Sequence, residues 1–516
     1  MKILCYSTSH DSNFTFYDTE EGKIRYYSIE RMTNVKHATC NVIYFIKYVK
    51  FHFGFDIKKD IIIRTLVPEV GDIDCFSPLK EDKLFVEDKP NYFVLDHHYA
   101  HVLSSLALNP NCNVGIAVDG VGNFDRSVTI FRNLNNIKET TFEVPNHFRF
   151  GSLFNTLAKA VLKQHQNISF DIRYMEDFIG KLMGLQSYGK MNSVLYNTLN
   201  SIGIENTKEL RSFFYKLFNS FNAQISNNNF DDIYTCHQWI VDNLVFLFKQ
   251  HFSKTDQIAY SGGCALSTVT NTQLLDAGFN LTVCPAANDS GLSLGLLKFA
   301  DLYFNLGIDF SNIVYTSNMT EKSNKVSDKL IKFIAEELSN NKIIAYTEGP
   351  CEVGPRALGH RSILMNPSIT NGKNYINEKV KHREWWRPFG GSCINTDIFE
   401  NYSFSNLDYY MLRNFKIKEE WRNKLNAICH VDNSTRMQVL YNEEENLYKI
   451  IKEFYNITGI PAILNTSFNI AGKPIANYKE HIFEAFKEIT NVDYLVYNGE
   501  IYIKKIIDNE IKIVKF

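Results

Sequence analysis

One stretch limits what this chain can fold into more than any other: Tyr92 to Pro110, Y-F-V-L-D-H-H-Y-A-H-V-L-S-S-L-A-L-N-P. A short apolar run of the strand type, Tyr92 to Leu95, meets Asp96, whose carboxylate suits a helix N-cap. Apolar and small residues then recur at helical spacing until Pro110 ends the run. On that helix His97 and His101 stand four apart, one turn along the same face. Two imidazoles so placed can grip one metal ion from one side. The bland alternative is two surface histidines spaced four apart by chance. Three histidines within five residues, at a helix start just after a strand, weigh towards the metal.

A chain of 516 residues exceeds one ordinary core, so two domains are expected. With a net charge of −2, nothing global draws nucleic acid or an anionic membrane, although a local basic patch is still allowed. The ten cysteines (5, 40, 75, 112, 236, 264, 284, 351, 393 and 429) form no C-x-x-C and no cluster. That scatter argues against a zinc knuckle or a disulfide framework and for a reducing compartment, the cytoplasm. The N-terminal apolar run is too short for a signal peptide, and no run of about 18 apolar residues offers a membrane span.

Residues 2–7, 12–17 and 23–29 read as strands around the turn S-T-S-H-D-S-N, with His10 and Asp11 at its tip. A chain opening Ile3-Leu4 and then a polar turn is how actin-like and sugar-kinase-like domains begin, with that turn facing a nucleotide phosphate. An ordinary hairpin would read the same. The charges of I-E-R-M-T-N-V-K-H-A (Glu30, Arg31, Lys36, His37) fit either a solvated loop or the wall of an anion pocket. The strand Val114 to Val118 ends in Asp119-Gly120-Val121-Gly122, where backbone N–H groups can approach a phosphate; a tight hairpin is the equal alternative. The strand Gln257 to Tyr260 runs into Ser261-Gly262-Gly263, read as opening a helix whose free N–H groups suit an anion or an adenosine. Asp289, at the next strand-to-helix junction, can reach a pocket. A polar segment at 312–328 is the expected domain boundary. The two halves show no internal repeat.

Two chemistries follow. His97, His101 and Asp289 together make a two-histidine, one-carboxylate set, which leans towards iron(II), with zinc and manganese open. The metal would act as a Lewis acid or an anchor. In the second half, Arg356, Arg361, Lys381, Arg383, Arg387 and Arg436 lie in short segments marked by Gly354-Pro355, Pro388 and Gly390-Gly391. Arginine forks match phosphate and carboxylate oxygens, and Asn465 and Ser467 can add neutral donors. The cluster reads as a site for one small, highly anionic substrate. Structural pairing with Glu352 and Glu384 is the alternative.

These motifs, in this order, carry a resemblance that covers nearly the whole chain. His10-Asp11, Glu30 to His37, D-H-H-Y-A-H, the Asp119 turn, K-L-M-G-L, S-G-G-C-A-L, N-D-S-G, G-P-R-A-L-G-H-R-S-I-L, K-H-R-E-W-W-R-P-F and L-N-T-S-F-N resemble the O-carbamoyltransferases of the nodulation-factor and tobramycin type. The resemblance implies an α/β fold: an actin-like domain (residues 1–315) followed by a YrdC-like domain (325–516). It implies carbamoyl phosphate and ATP, with magnesium, meeting in the second domain to form carbamoyl adenylate, and a metal-bearing first domain passing the carbamoyl group to a small-molecule hydroxyl, in the manner of secondary-metabolite enzymes.

Carried over by motif, Arg356, Arg361, Lys381, Arg387, Arg436, Asn465 and Ser467 hold the activating substrates, and His97, His101 and Asp289 hold the metal. His37, Asp119, Gly120, Gly122, Gly262 and Gly263 line the adenylate pocket. His10, Asp11, His37 and Lys381 are the candidate catalytic groups, with His10 near the acceptor hydroxyl. A homodimer is also implied. Departures at Gln186-Ser187, Ser267 and Gly390-Gly391 leave the acceptor open, and Asn433 departs from the pattern as well. A tRNA threonylcarbamoyl-type transferase and a non-catalytic nucleotide-binding protein are the rivals. The near-neutral charge speaks against the first, and the intact His, Asp and Arg set against the second.

Overall fold

The computed structural model describes residues 1–65, 79–145, 148–162, 175–219, 229–317, 326–507 and 510–516, with backbone alone at 175–177. Cys75 and residues 318–325 of the expected domain boundary lie outside them. Two compact units emerge: residues 1–30 with 37–313, and residues 31–36 with 314–516. The short segment 31–36 therefore packs with the second unit, which a single 1–315 block does not anticipate. Arg31 is the reason. Its buried guanidinium donates to the carbonyls of Glu352 and Gly354 in the G-P-R motif.

The first unit holds two sheets. One runs β3-β2-β1-β4-β6-β5, from β1 (Lys2–Ser7), β2 (Asn13–Asp18), β3 (Lys23–Ser28), β4 (Ile61–Thr65), β5 (Phe85–Lys89) and β6 (Tyr92–Leu95). The other runs β11-β10-β7-β8-β9, from β7 (Val114–Val118), β8 (Val128–Arg132), β9 (Thr141–Glu143), β10 (Gln257–Ser261) and β11 (Asn280–Val283). Setting aside the edge strand β5, the two sheets share one plan. In each, the first strand pairs antiparallel with the second and parallel with the fourth, and the fourth pairs parallel with the last. This is the actin-like arrangement in duplicate. The repeat is one of topology, which is why no repeated motif is visible in the sequence.

A helix follows the last strand of each sheet: His97–Leu108 after β6, and Leu292–Phe304 after β11. Each crosses to the other sheet. The first packs on β7, β10 and β11, the second on β1, β2 and β4, and the two helices pack on each other. Every residue of the first from His97 to Ala107 is buried, so its apolar and small composition is that of a helix enclosed on all sides. At their crossing, a Cβ on Gly295 would lie 1.9 Å from the Ala100 carbonyl oxygen, so only glycine permits this approach.

The second unit is built on one mixed sheet, β15-β16-β14-β17-β13-β12-β18-β19-β20. Its strands are β12 (Ile344–Thr347), β13 (Arg361–Met365), β14 (Gly390–Cys393), β15 (Asn414–Lys416), β16 (Ser434–Val439), β17 (Ala462–Ser467), β18 (Tyr494–Tyr497), β19 (Glu500–Ile507) and β20 (Glu510–Lys515). The amphipathic helices Asp328–Ser339 and Asn446–Thr458 bury Ile331, Ile334, Leu338, Ile450, Ile451 and Phe454 in its core. Among the described residues no helix is long and apolar enough to cross a membrane.

Candidate metal centre and anion site

The duplicated topology brings the metal residues together. Asp96 caps the histidine helix by accepting from the Tyr99 N–H (3.0 Å), which sets His97 and His101 at its first two turns. Asp289 sits in the turn before the equivalent helix of the other sheet. Asp119 follows β7, the first strand of its sheet. The four converge: His97 Nε2 and His101 Nε2 lie 3.1 Å apart, Asp119 Oδ2 is 3.4 Å from both, and Asp289 Oδ1 is 3.5 and 3.3 Å from them. Four donors about 2.1 Å from one ion in tetrahedral array stand about 3.4 Å from each other, so this donor set fits a divalent metal.

The charges agree. Burial opposes charge on His97, but the Asp289 and Asp119 carboxylates outweigh it and lift the imidazole to about 10. Burial would raise both carboxylates, yet their interactions with His97 and His101 hold them well below the usual range. The cluster is a place built for positive charge.

Asp119, expected beside the adenylate, also lies among the candidate metal ligands, making the set two histidines and two aspartates. The three-ligand pattern that favoured iron(II) therefore loses part of its force, since imidazole with two carboxylates also suits manganese and zinc. One carboxylate oxygen faces the histidines, and the other accepts from the Gly263 N–H at 3.0 Å. Gly262 and Gly263 do not open a helix as expected. Gly263–Leu266 forms a single 3-10 turn, and the helix Thr268–Asp276 starts later, capped by Ser267. Gly262 takes φ +90° and packs against the Val118 carbonyl. Gly122 makes room for the His98 ring, while nothing lies within 4 Å of a Cβ on Gly120. His98, the third histidine, bonds Thr129 Oγ1 (2.8 Å) and faces away from ligation; burial, then the charge of His97, pushes it down to about 3.

A second group adjoins the centre. His10 Nε2 lies 3.7 Å from Asp289 Oδ2, and its Nδ1 is 3.3 Å from Asp11 Oδ2. Asp11 also pairs with His37 Nδ1 at 2.8 Å. Burial would raise Asp11, but the bonds to His10 and His37 bring it down to about 2. Ser9 Oγ donates to Asp289 Oδ2 (2.8 Å) and Asn13 Nδ2 to the Asp289 carbonyl (2.8 Å), fixing the Asp289 turn. Neither residue was foreseen, although both lie in the polar turn that flags this end of β1.

In the second unit one of the cations, Arg436, lies on β16, one strand in from the sheet edge and next to β14. Gly390 of β14 is opposite Arg436 of β16 on one side and Asn465 of β17 on the other, so all three project on one face. A side chain at Gly390 would meet the Arg436 carbonyl at 2.6 Å and its Nε at 3.5 Å, so glycine keeps this slot open. Lys381 follows a five-residue π turn, Ile376–Val380, and precedes His382 at φ +44°. Its buried ammonium donates to the Ser467 carbonyl (2.8 Å) and to Asn469 Oδ1 (2.7 Å). Burial, then Arg383, Arg387 and Lys36, holds it well below the usual lysine range. Burial, then Arg387, brings Arg356 down to about 10. Arg436 is depressed by burial and by Arg356, Arg383 and Arg387.

Two cations of the sequence cluster have structural tasks. Arg361, 1% exposed, donates to the Glu348 and His360 carbonyls (2.7 and 2.8 Å) and to that of Gly349 (3.1 Å). Arg383 bonds Asn377 Oδ1 (2.7 Å) and stacks on Phe389. Glu352 accepts from the Leu358 and Arg361 N–H groups and so shapes the G-P-R-A-L-G-H-R loop. Glu384 Oε2 is 3.7 Å from Arg387 Nη1. Arg356, Arg436 and Lys381 each lie close enough to Arg387 to feel its charge, and cations that repel one another favour an anion beside them.

The chain matches family models of known proteins along most of its length: the carbamoyltransferase N-terminus over residues 61–296 and the carbamoyltransferase C-terminus over 335–505. It is similar to the uncharacterized protein MJ1051 of Methanocaldococcus jannaschii, 28% identical over 84% of this chain and 89% of that one. It is similar to nodulation protein NolNO of Sinorhizobium fredii, 31% identical over 53% of this chain and 44% of that one. Among solved structures it is similar to component A of the (R)-2-hydroxyglutaryl-CoA dehydratase of Acidaminococcus fermentans, with 11% identity, 59% of this chain and 99% of that chain covered, and a TM-score of 0.36. Both halves of one enzyme family are thus present in order: the chain belongs to the carbamoyltransferase family.

Proposed function

We propose that this enzyme uses ATP and carbamoyl phosphate to carbamoylate a hydroxyl of a small-molecule acceptor by way of carbamoyl adenylate. The observation that carries the reading is the set of mutually repelling cations Arg356, Arg387, Arg436 and Lys381 in the second unit, which two phosphorylated substrates would neutralise. Arg356, Arg387, Arg436 and Lys381 hold the phosphates, with Asn465 and Ser467 beside them. The carbamoyl group loses its phosphate to water as inorganic phosphate, leaving carbamate. A carbamate oxygen attacks the α-phosphorus of ATP, the bond to the β-phosphate breaks, and pyrophosphate leaves with carbamoyl adenylate formed. The cations stabilise the charge that gathers on both leaving phosphates.

Transfer belongs to the first unit. His97, His101, Asp119 and Asp289 would hold a divalent ion, proposed as iron(II) with manganese and zinc also suited, and that ion would supply Lewis-acid polarisation of the carbamoyl carbonyl. His10, its Nδ1–H donated to Asp11, takes the acceptor hydroxyl's proton at Nε2 as general base. His37 shares Asp11 and holds that carboxylate in place, while Gly120 leaves room for the adenylate. AMP, a good leaving group, departs as the hydroxyl oxygen bonds the carbamoyl carbon.

The test is to incubate the protein with ATP, magnesium and carbamoyl phosphate and measure pyrophosphate. Release that requires carbamoyl phosphate and no tRNA supports the reading. Release that requires tRNA, or none at all, refutes it.

A further inference from the structure

We infer that Ser392 and Gln438 are positioning residues that lock the Asn465 amide with its carbonyl oxygen presented as an acceptor, and that this oxygen selects an acyl phosphate bearing an N–H donor. The inference rests on the function proposed above and adds its basis for choosing a carbamoyl over another acyl group.

The argument is one of hydrogen-bond direction. It starts at the Leu358 main-chain carbonyl, which can only accept. Gln438 must therefore point Nε2 at it (3.0 Å), which turns Oε1 the other way. Ser392 Oγ lies 2.8 Å from that Oε1, so its hydroxyl proton is committed there. The Ser392 lone pairs then accept from Asn465 Nδ2 at 2.9 Å. Asn465 Nδ2 also lies 3.4 Å from the Ala357 carbonyl, a second group that can only accept. Both anchors demand the same orientation. A reversed Asn465 amide would set its oxygen against the Ala357 carbonyl and against a hydroxyl whose proton is already given away.

Asn465 Oδ1 is thus an obligate acceptor. It is buried and has no hydrogen-bond partner among the described residues. Ser392 and Gln438 are fully buried and Asn465 is 1% exposed, so the lock is dry and the orientation is held. A buried acceptor without a donor is costly, and a ligand N–H would remove that cost. The place is right for such a ligand. Asn465 and Arg436 flank Gly390 on the two neighbouring strands, and Ser392 and Gln438 face each other two residues further along β14 and β16.

Phosphate oxygens are acceptors and find nothing at Oδ1; their partners are the cations. A carbamoyl amino group finds its acceptor there. Acetyl phosphate, the same size with methyl in place of amino, finds none and leaves Oδ1 unpaired. The adenine amino group is the other N–H source on the two substrates, and the experiment separates it.

Purified full-length wild type, Gln438→Leu and Ser392→Ala are compared by kcat/KM for carbamoyl phosphate in pyrophosphate release, by the inhibition constant of acetyl phosphate, and by the preference for ATP over ITP, which lacks the amino group. Gln438→Leu is expected to lower kcat/KM for carbamoyl phosphate about tenfold. The acetyl phosphate constant should stay within about twofold, and the ATP:ITP preference should not change. Ser392→Ala, the smaller change, should move the same ratio in the same direction and carries the test if Gln438→Leu does not fold. An unchanged ratio, or equal losses for both acyl phosphates, overturns the lock. A collapse of the ATP:ITP preference instead overturns the carbamoyl assignment. Wild-type protein that releases no pyrophosphate refutes the proposed function rather than the lock.

Discussion

Gly295→Ala tests how the fold builds the metal centre without touching a ligand. The added Cβ would lie 1.9 Å from the Ala100 carbonyl oxygen and 2.9 Å from the Ser104 amide nitrogen, both backbone atoms of the histidine helix. Restoring an ordinary contact of about 3.2 Å requires the two helices to part by about 1.3 Å. Overpacking of this kind costs about 1–3 kcal/mol. The separation falls on the ligands, because His97 and His101 ride on one helix and Asp289 precedes the other. A displacement near 1 Å is worth about a hundredfold in rate. The assay is metal content after a chelator challenge, read beside carbamoyl transfer and pyrophosphate release. Gly295→Ala should lose metal affinity at least tenfold and transfer about a hundredfold, with pyrophosphate release within about twofold. Gly180→Ala is the control: its Cβ meets nothing within 4 Å among the described residues, and an exposed helical Ala should stabilise by about 0.4–1 kcal/mol. A Gly295→Ala enzyme with wild-type metal affinity and transfer would refute the close-packing account.

Arg387→Lys should lower kcat/KM for pyrophosphate release about a hundredfold, because a point charge does not replace a bidentate fork; full activity would remove Arg387 from the site. Gly390→Ala puts a methyl group beside Arg436 Nε in the slot between Arg436 and Asn465, and should raise KM for carbamoyl phosphate while metal content stays unchanged. His237 is fully buried with neither ring nitrogen hydrogen-bonded among the described residues, and burial pushes it from 6.5 down to about 4. The unfolded chain takes up this proton first as pH falls, so stability drops below about pH 6.5 and the loss is complete below about pH 4. His237→Phe removes that loss, and urea melts should show it gaining about 2 kcal/mol on wild type between pH 7.5 and pH 5; parallel pH profiles would exclude it.

What the sequence announces well is what neighbours in the chain decide. Asp96 as cap and the four-residue histidine spacing follow from local geometry, and the helix His97–Leu108 ends just before Pro110 as that spacing requires. Asp289 was legible because strand-to-helix junctions point into pockets. That Asp119 also lies beside the two histidines depends on crossed packing between two sheets, which a pattern of Asp then Gly does not reveal. Gly263 is similar: its N–H serves Asp119 rather than a helix terminus, a long-range choice. Arg361 looks like its neighbours in sequence, yet strand β13 turns it into the protein, where backbone carbonyls occupy it. The Ser392 and Gln438 pair has no motif at all, since strand register alone sets the two opposite each other.

The division of labour between the two units is tested most directly by one measurement on His101→Ala: carbamoyl-phosphate-dependent pyrophosphate release in a single turnover, with metal content determined on the same sample. His101 Nε2 lies within 3.5 Å of His97, Asp119 and Asp289, so its loss opens the donor set, while the cations of the Gly390 slot belong to the other unit. The account predicts that metal is lost, transfer to acceptor stops, and the pyrophosphate burst keeps its wild-type amplitude. A variant that loses its metal and its pyrophosphate burst together would place activation and transfer in one site and contradict it.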